Sequence, residues 1–514
     1  MQNLYTSLLK NKQLIKKLLP AEDILSFDFI SADKIDCTLF YADGMVNKQL
    51  LGELVARPIT LSPLLSFVKT TEKSAQKSQQ KQEKDGGMSE TNENAAPFPN
   101  LFPEWKEIAD VTQICKEVLD GNCLLLVDGV ATGFILGAKF LPVRAVIEPP
   151  TDVAVKGPRE GFIEDIKTNM ALVRKRLKTP DLRFETYRVG KRSDTAVAVC
   201  YLDGTSNPQV KNEIVAKLQA IDIDVVPDSS YIATLVSPRR HSVFRTMNTT
   251  EKPDIFTAKI AEGRVGVLVD GSPIALTAPY ILAEDFQSSE DYFISPFMAT
   301  IFRIMRFIAL FVAILLPAFY VSVQIFKMQL VPLSLMLTIA SSGRELPLSP
   351  TLEMFVVLFL LETLKEASIR MPKYVGMSLS VVGALVLGET AVNAGFLSTP
   401  AIIIVALSGI CLYIVPNFVE TGSLLRWLYL IVAGCLGPFG IVLLSAFLLY
   451  YLLSADAFGA PPLAPFSPLL SRDLRDSVVK YDIQTLSTRP QTFGSENITR
   501  FRKQKAKNKE NSKK

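Results

Sequence analysis

The stretch Phe307-Ile308-Ala309-Leu310-Phe311-Val312-Ala313-Ile314-Leu315-Leu316-Pro317-Ala318-Phe319-Tyr320-Val321-Ser322-Val323-Gln324-Ile325-Phe326 carries no charged side chain. About 20 apolar residues in a helix cross the roughly 30 Å hydrocarbon core of a bilayer, so this run predicts a membrane span. Two more uncharged runs follow, Thr390 to Val419 and Trp427 to Ala455. Charged residues interrupt the apolar pattern at Glu353, at Glu362-Thr363-Leu364-Lys365-Glu366-Ala367-Ser368-Ile369-Arg370-Met371-Pro372-Lys373, and at Glu389. Ionisable groups at such positions are costly and mark function by default. Glu353, Glu362, Glu366 and Glu389 are therefore the candidate ion-pathway residues.

Working outward, membrane segments are expected at about 305–326, from Ser349 and Pro350 through Leu361, and at about 374–397, 400–418 and 427–453. Val331 to Ala340 is too short to span and reads as interfacial or re-entrant. Gly437-Pro438, in the middle of the last segment, marks either a kink or a split into two short limbs. Lys365, Arg370 and Lys373 favour an inside loop, and the basic C-terminus favours the inside too. Five spans would put that tail outside, so 331–340 or 427–453 is not a simple span, and both chain ends are expected in the cytoplasm.

The net charge of +4 over 514 residues hides two unlike halves. Residues 1–300 are highly charged, and their lysine-rich amphipathic opening (Lys10, Lys12, Lys16, Lys17) has no apolar signal core, which predicts a soluble part that stays cytoplasmic. The expected fold is an α/β cytoplasmic domain of two small α/β subdomains, followed by an α-helical polytopic membrane domain. The expected boundaries are 1–68 for an N-terminal α/β segment, 69–104 for a disordered linker or loop, 105–295 for the α/β domain, 296–455 for the membrane domain, and 456–514 for a Pro-rich, then basic tail. Thr70 to Asn100 holds too few large apolar residues to fold.

Two β-hairpins look alike. Cys123 to Val127 meets Asp128-Gly129 and then Phe134-Ile135-Leu136, while Val265 to Val269 meets Asp270-Gly271 and then Ile274-Ala275-Leu276. Asp-Gly supplies the positive φ of tight turns. The likeness has two readings: a common turn met twice, or two related subdomains, each with a helix (105–119, 253–261) feeding a hairpin. Further helices are expected at 161–177 and, capped by Asn207 with Pro208 at its first position, at 207–220. Strands are expected at 34–42, 195–201 and 231–236.

No catalytic, metal or cofactor site is expected. The one histidine, His241, and six cysteines without a CxxC pair argue against a Ser-His-Asp triad or a zinc site. Gly157-Pro158-Arg159 is not a phosphate loop, since no GxxxxGK[ST] pattern exists. Arg159 and Glu164 read as members of a structural charge network. Glu362 and Glu366 share one helix face, with Lys365 and Arg370 as i+3 and i+4 partners. They make either a satisfied charge network or an acidic ring around a pore. Small residues along 376–395 favour close helix packing.

Three blocks then resemble the A subunit of the GerA-type nutrient germinant receptors of endospore-forming bacteria: Glu148-Pro149 with Lys156-Gly157-Pro158-Arg159-Glu160-Gly161-Phe162-Ile163-Glu164, then Arg344-Glu345-Leu346-Pro347-Leu348-Ser349-Pro350 with Glu353, then Glu362 through Pro372. Lys156, Leu361, Lys365 and Ser368 depart from the usual pattern. The resemblance implies structural or coupling roles for Glu148, Gly157, Pro158, Arg159, Phe162, Glu164, Arg344, Glu345, Pro347, Arg370 and Pro372. It also implies an inner spore membrane receptor acting with a multi-spanning B subunit and a lipoprotein C subunit. Its A subunit would oligomerise as a pentamer into a cation channel whose opening starts germination. A secondary transporter subunit and a non-conducting scaffold are the alternatives. Membrane lipids, and no nucleic acid, are the other expected contacts.

Overall fold

The computed structural model describes residues 3–61, 105–140, 157–239, 242–326, 329, 332–334, 336, 337, 339, 347–372, 383 and 386–500. His241, Glu148, Lys156, Arg344, Glu345, residues 374–382 with 384 and 385, and the 70–100 stretch lie outside them. The chain divides into two compact units: Met1–Arg240 with Met247–Pro279 and Ser487–Lys514, and His241–Thr246 with Tyr280–Leu486.

The first unit is one topology used twice. Its first repeat contains α1 (Leu8–Leu18), β1 (Ile24–Ile30), β2 (Asp36–Ala42), β3 (Trp105–Ile108), α2 (Val111–Leu119), β4 (Cys123–Val127) and β5 (Gly133–Leu136). Its second contains α3 (Ile166–Arg176), β6 (Leu182–Val189), β7 (Thr195–Leu202), α4 (Pro208–Gln219), α5 (Ser229–Val236), β8 (Asn248–Thr250), α6 (Pro253–Ala261), β9 (Val265–Val269) and β10 (Ala275–Ala278). The sheets are antiparallel with orders β1-β2-β4-β5-β3 and β6-β7-β9-β10-β8. Strand β4 is buried throughout because both faces are covered: Cys123, Leu125 and Val127 meet Leu51, Val55 and Ile59, while Leu124 and Leu126 meet α1 and α2. A continuous apolar run, with no polar alternation, is what such a central strand requires.

The recurrent Asp-Gly turn explains why the repeats close alike. Gly129 and Gly271 take positive φ, 84° and 81°. Each preceding aspartate accepts from the first amide of its repeat's leading helix, Asp128 Oδ1 from Leu8 N at 2.9 Å and Asp270 Oδ1 from Ile166 N at 3.3 Å. A buried asparagine one turn later binds the chain ahead of the same helix. Asn11 clasps both backbone groups of Tyr5 (2.7 and 2.6 Å), and Asn169 those of Ile163 (2.9 and 2.5 Å). The paired likeness seen in the sequence is thus two related subdomains.

Two expected elements differ. Trp105 to Leu119 is not one helix: Trp105–Ile108 pairs with β5 as an edge strand, and α2 starts after Asp110, whose carboxylate caps Thr112 N. Tyr231 to Val236 is helical, not a strand, because Asp228 caps Ser230 N and Ile232 and Val236 share one buried face.

The repeats are joined by a buried ion pair. Arg174 of α3 meets Asp23 through Nε (2.8 Å) and Nη2 (2.7 Å), and also donates to the carbonyls of Thr179 and Leu182. The C-terminal residues return to the second repeat. Arg489 donates to Ala261 O at the end of α6 (2.7 Å), Ser495 Oγ to Glu262 O (2.6 Å), and buried Phe493 lies under the Arg264 guanidinium at 3.8 Å.

The second unit holds α7 (Pro296–Phe326), α8 (Pro350–Arg370), α9 (Thr399–Tyr413) and α10 (Val419–Leu453). Helix α7 and the run ending at Leu453 are long and apolar enough to cross a membrane. That last run, however, reverses on itself. Gly437 sits at φ 61°, and the Tyr429 hydroxyl lies 2.8 Å from Ser445 Oγ. In a straight helix residues so separated would be about 24 Å apart. Residues 419–436 and 438–453 are therefore two limbs of a hairpin, about 27 and 24 Å long, and the split alternative for Gly437-Pro438 is the one that holds.

The tip of this hairpin meets Phe326 at the end of α7: a Cβ on Gly437 would come within 2.7 Å of its ring. Gly434, near the tip, faces Thr351 at the start of α8. Its open end gathers Phe418, Tyr451 and Phe244. Helix α7 thus runs from the open end to the tip, α8 and α9 run back, and the limbs of α10 go and return. The start of α7 is clamped by the post-hairpin chain: Arg303, fully buried, donates to Asp291 Oδ2 (3.0 Å), Asp476 O (2.6 Å) and Asp476 Oδ1 (3.0 Å).

Removing one member of the buried inter-repeat pair should cost about 3–5 kcal/mol. Thermal unfolding of the purified chain should show Asp23→Asn lowering the first unit's transition by about 10 °C. A shift under about 2 °C would mean that the pair does not join the repeats.

Candidate functional site

Helix α8 begins at Pro350, whose missing amide costs nothing in a first turn, and stops at Pro372, which cannot continue a helix. It carries three of the four candidate carboxylates, and they lie in unlike places. Glu353, 1% exposed, accepts from Ser398 N at 2.5 Å. Ser398 in turn caps α9 by accepting from Ala401 N. The carboxylate therefore stands at the positive end of the α9 dipole, at the hairpin-tip end of the bundle.

Glu362 lies about two and a half turns further along, towards the opposite end. Its Oε1 accepts from Arg426 Nη2 (2.5 Å) and Ser423 Oγ (3.0 Å), and its Oε2 from Lys365 Nζ (3.0 Å). Arg426 is 2% exposed and passes the chain on: its Nη1 donates to Ser408 Oγ (3.1 Å), which donates to Ala313 O (2.6 Å). One polar relay so ties α8, α10, α9 and α7. The relay leaves one polar atom over: among the described residues Arg426 Nε has no hydrogen-bond partner. Glu366, one turn on, is exposed and pairs with Arg370 at 2.6 Å, a surface pair worth about 0–1 kcal/mol.

The i+3 and i+4 partners expected for Glu362 and Glu366 are both present. Arg426 was not expected. Its signal in the sequence was slight: a lone cation immediately before the uncharged run 427–455. Glu389 is exposed in the short stretch Val386–Thr390, apart from the other three, and makes no ion pair among the described residues.

The family-like block of the soluble unit leads into α3. Gly157 takes φ 124°, and Pro158 and the exposed Arg159 follow. In this block Glu160 pairs with Lys175 (2.7 Å) and Arg176 (2.8 Å). Burial pushes the Glu160 carboxyl up, but the two cations more than offset it and hold it below the usual range. Phe162 is buried edge-on against Phe256 at 5.6 Å, and its amide donates to Glu251 O (2.7 Å). The Glu164 side chain is exposed, while its carbonyl accepts from Gly271 N at the Asp-Gly turn (2.8 Å). Pro347, Arg370 and Pro372 are exposed at the ends of α8. No cluster of metal-ligating side chains occurs among the described residues.

Residues 12–492 match the family described as Bacillus/Clostridium GerA spore germination protein. The uncharacterized membrane protein YfkQ of Bacillus subtilis (strain 168) is 35% identical over 75% of this chain and 76% of its own length. Spore germination protein KA of the same organism is 33% identical over 76% and 72%. Spore germination protein GerLA of Bacillus cereus is 32% identical over 80% and 85%. Among solved structures, the N-terminal domain of the A subunit of the Bacillus megaterium spore germinant receptor GerK3 is 23% identical, with a TM-score of 0.39, covering 55% of this chain and 98% of that one. The chain belongs to the GerA family of spore germination proteins.

Neutralising Glu362 while leaving Arg426 in place strands a buried cation. Glu362→Gln should lower stability by on the order of 2–5 kcal/mol, and Arg426→Met combined with it should recover much of that loss. A thermal double-mutant cycle on the detergent-solubilised protein measures the coupling. Additive effects would mean that the relay does not act as one unit.

Proposed function

We propose that this chain is the A-type subunit of a nutrient germinant receptor in the inner spore membrane. It acts with a multi-spanning B-type subunit and a lipoprotein C-type subunit, and copies of it form a homo-oligomeric channel, as a pentamer, for monovalent cations. One observation carries this reading. Leu352, Phe355, Phe359, Thr363, Glu366 and Arg370 follow at three- and four-residue spacing, and all are exposed. They form a single stripe along α8 that is apolar for most of its length and charged at one end. Repeated around an axis, the stripe supplies a hydrophobic constriction that gates by dewetting and a charged mouth in which each Glu366 carboxylate, beside Arg370, meets the cations. Glu366 is the mouth residue; Glu362 is withdrawn into its pair with Arg426 and supports α8.

The path of the helices supports an even number of crossings. Among the described residues, α7, α8, α9 and the two limbs of α10 make five passages, with α8 ending at the open end of the bundle and α9 beginning at the tip end. Six crossings in all is the topology of this proposal. The C-terminal residues that dock on the second repeat then share the cytoplasmic side with the N-terminal domain. Lys10→Cys and Gln484→Cys in a cysteine-free background should both resist impermeant maleimide in intact protoplasts and both label after lysis. Labelling of only one of them in intact cells would refute the even count.

Cation flux through proteoliposomes tests the channel. Glu366→Gln should reduce cation over anion selectivity about tenfold or less, as expected for one screened surface charge per subunit, without loss of assembly. A protein that assembles with its partner subunits and never conducts with nutrient present would instead be a scaffold.

A further inference from the structure

The short connection between α5 and β8 makes an excursion. Arg240 and Met247 belong to the soluble unit, but the residues between them belong to the helical one. Phe244, 9% exposed, is held at the open end of the α10 hairpin, its ring 6.2 Å from Phe418 and 6.0 Å from Tyr451. Phe418 directly precedes the first limb, and Tyr451 lies in the last turn of the second. The neighbouring residues bind one limb each. Thr421 Oγ1 of the first limb donates to Val243 O at 2.8 Å, and the Tyr451 hydroxyl of the second donates to Ser242 Oγ at 3.1 Å. Arg245 stands 4.0 Å from Glu420. Beneath them, Phe244 packs into the cluster of Leu412, Leu425 and Tyr429.

A helical hairpin is closed covalently only at its turn. At the other end, its limbs are free to part unless something holds them, and here the holding groups come from a loop distant in sequence. We propose that residues 242–246 are a wedge that sets the spacing of the two α10 limbs and couples the hairpin to the soluble unit. The chain leads from the wedge directly into β8, a three-residue strand beside β10 at the edge of its sheet. The geometry of the wedge is independent of the channel reading; its consequence for ion flux rests on that reading.

Hydrogen exchange of the purified full-length protein tests the wedge. Phe244→Gly should raise exchange at 420–426 and 446–453 by about tenfold or more, with β4 and β7 unchanged, and Phe244→Leu should leave most protection in place. Unchanged exchange in both limbs of the glycine variant would overturn the wedge, whether or not the protein conducts. Coupling is tested by Ser242→Cys with Tyr451→Cys in a cysteine-free background: bridging the two thiols with a short bis-methanethiosulfonate should abolish nutrient-stimulated flux and reductant should restore it. Flux equal in the bridged and reduced states would overturn the coupling. Absence of flux from the wild type, with the exchange result as expected, would overturn the channel reading and leave the wedge standing.

Discussion

A guanidinium taken out of water must find acceptors, and three of them organise this chain. Arg174, Arg303 and Arg426 are among its largest fully buried side chains. Each is paired with a carboxylate far away in sequence: Arg174 with Asp23, Arg303 with Asp476, Arg426 with Glu362. Desolvating such a charge costs several kcal/mol unless the geometry is right, so each pair penalises every arrangement in which its partner is misplaced. The pairs therefore act as closure points, one between the repeats, one where the first long helix begins, and one inside the helical bundle.

The bundle shows how this constraint sorts chemically identical residues. Glu362 and Glu366 are one turn apart on α8, yet one is enclosed by Arg426, Ser423 and Lys365 while the other has only the exposed Arg370. The enclosed carboxylate holds helices together, and the exposed one is left to whatever surrounds the bundle. Glu353 is used differently again, as a cap on the start of α9.

Much of this was legible in the chain. The Asp-Gly turns, the Asn207 cap, the Ser349-Pro350 start of α8 and the i+3 and i+4 pairs depend on neighbours in sequence, where local rules operate. What was not legible depended on distant partners. Arg426 reads as a boundary charge until Glu362 and Ser408 are placed beside it. Tyr231 to Val236 has a strand-like composition, and only the Asp228 cap with burial at Ile232 and Val236 makes it helical. Trp105 to Ile108 becomes a strand because β5 offers it an edge. At Gly437-Pro438 a kink and a reversal call for the same two residues, and the positive φ of Gly437 decides between them.

The docking of Phe493 and Arg489 on the second repeat bears on the order in which the protein is made. Translation delivers these residues after every helix of the second unit, yet they cover the end of α6 and the Arg264 face of a domain whose strands emerged long before. The second repeat must therefore wait, its surface unfinished, until the ribosome has passed residue 500. A chain cut short anywhere in the bundle carries that uncovered surface with it, so incomplete products differ from finished ones on the face where the N-terminal domain is built.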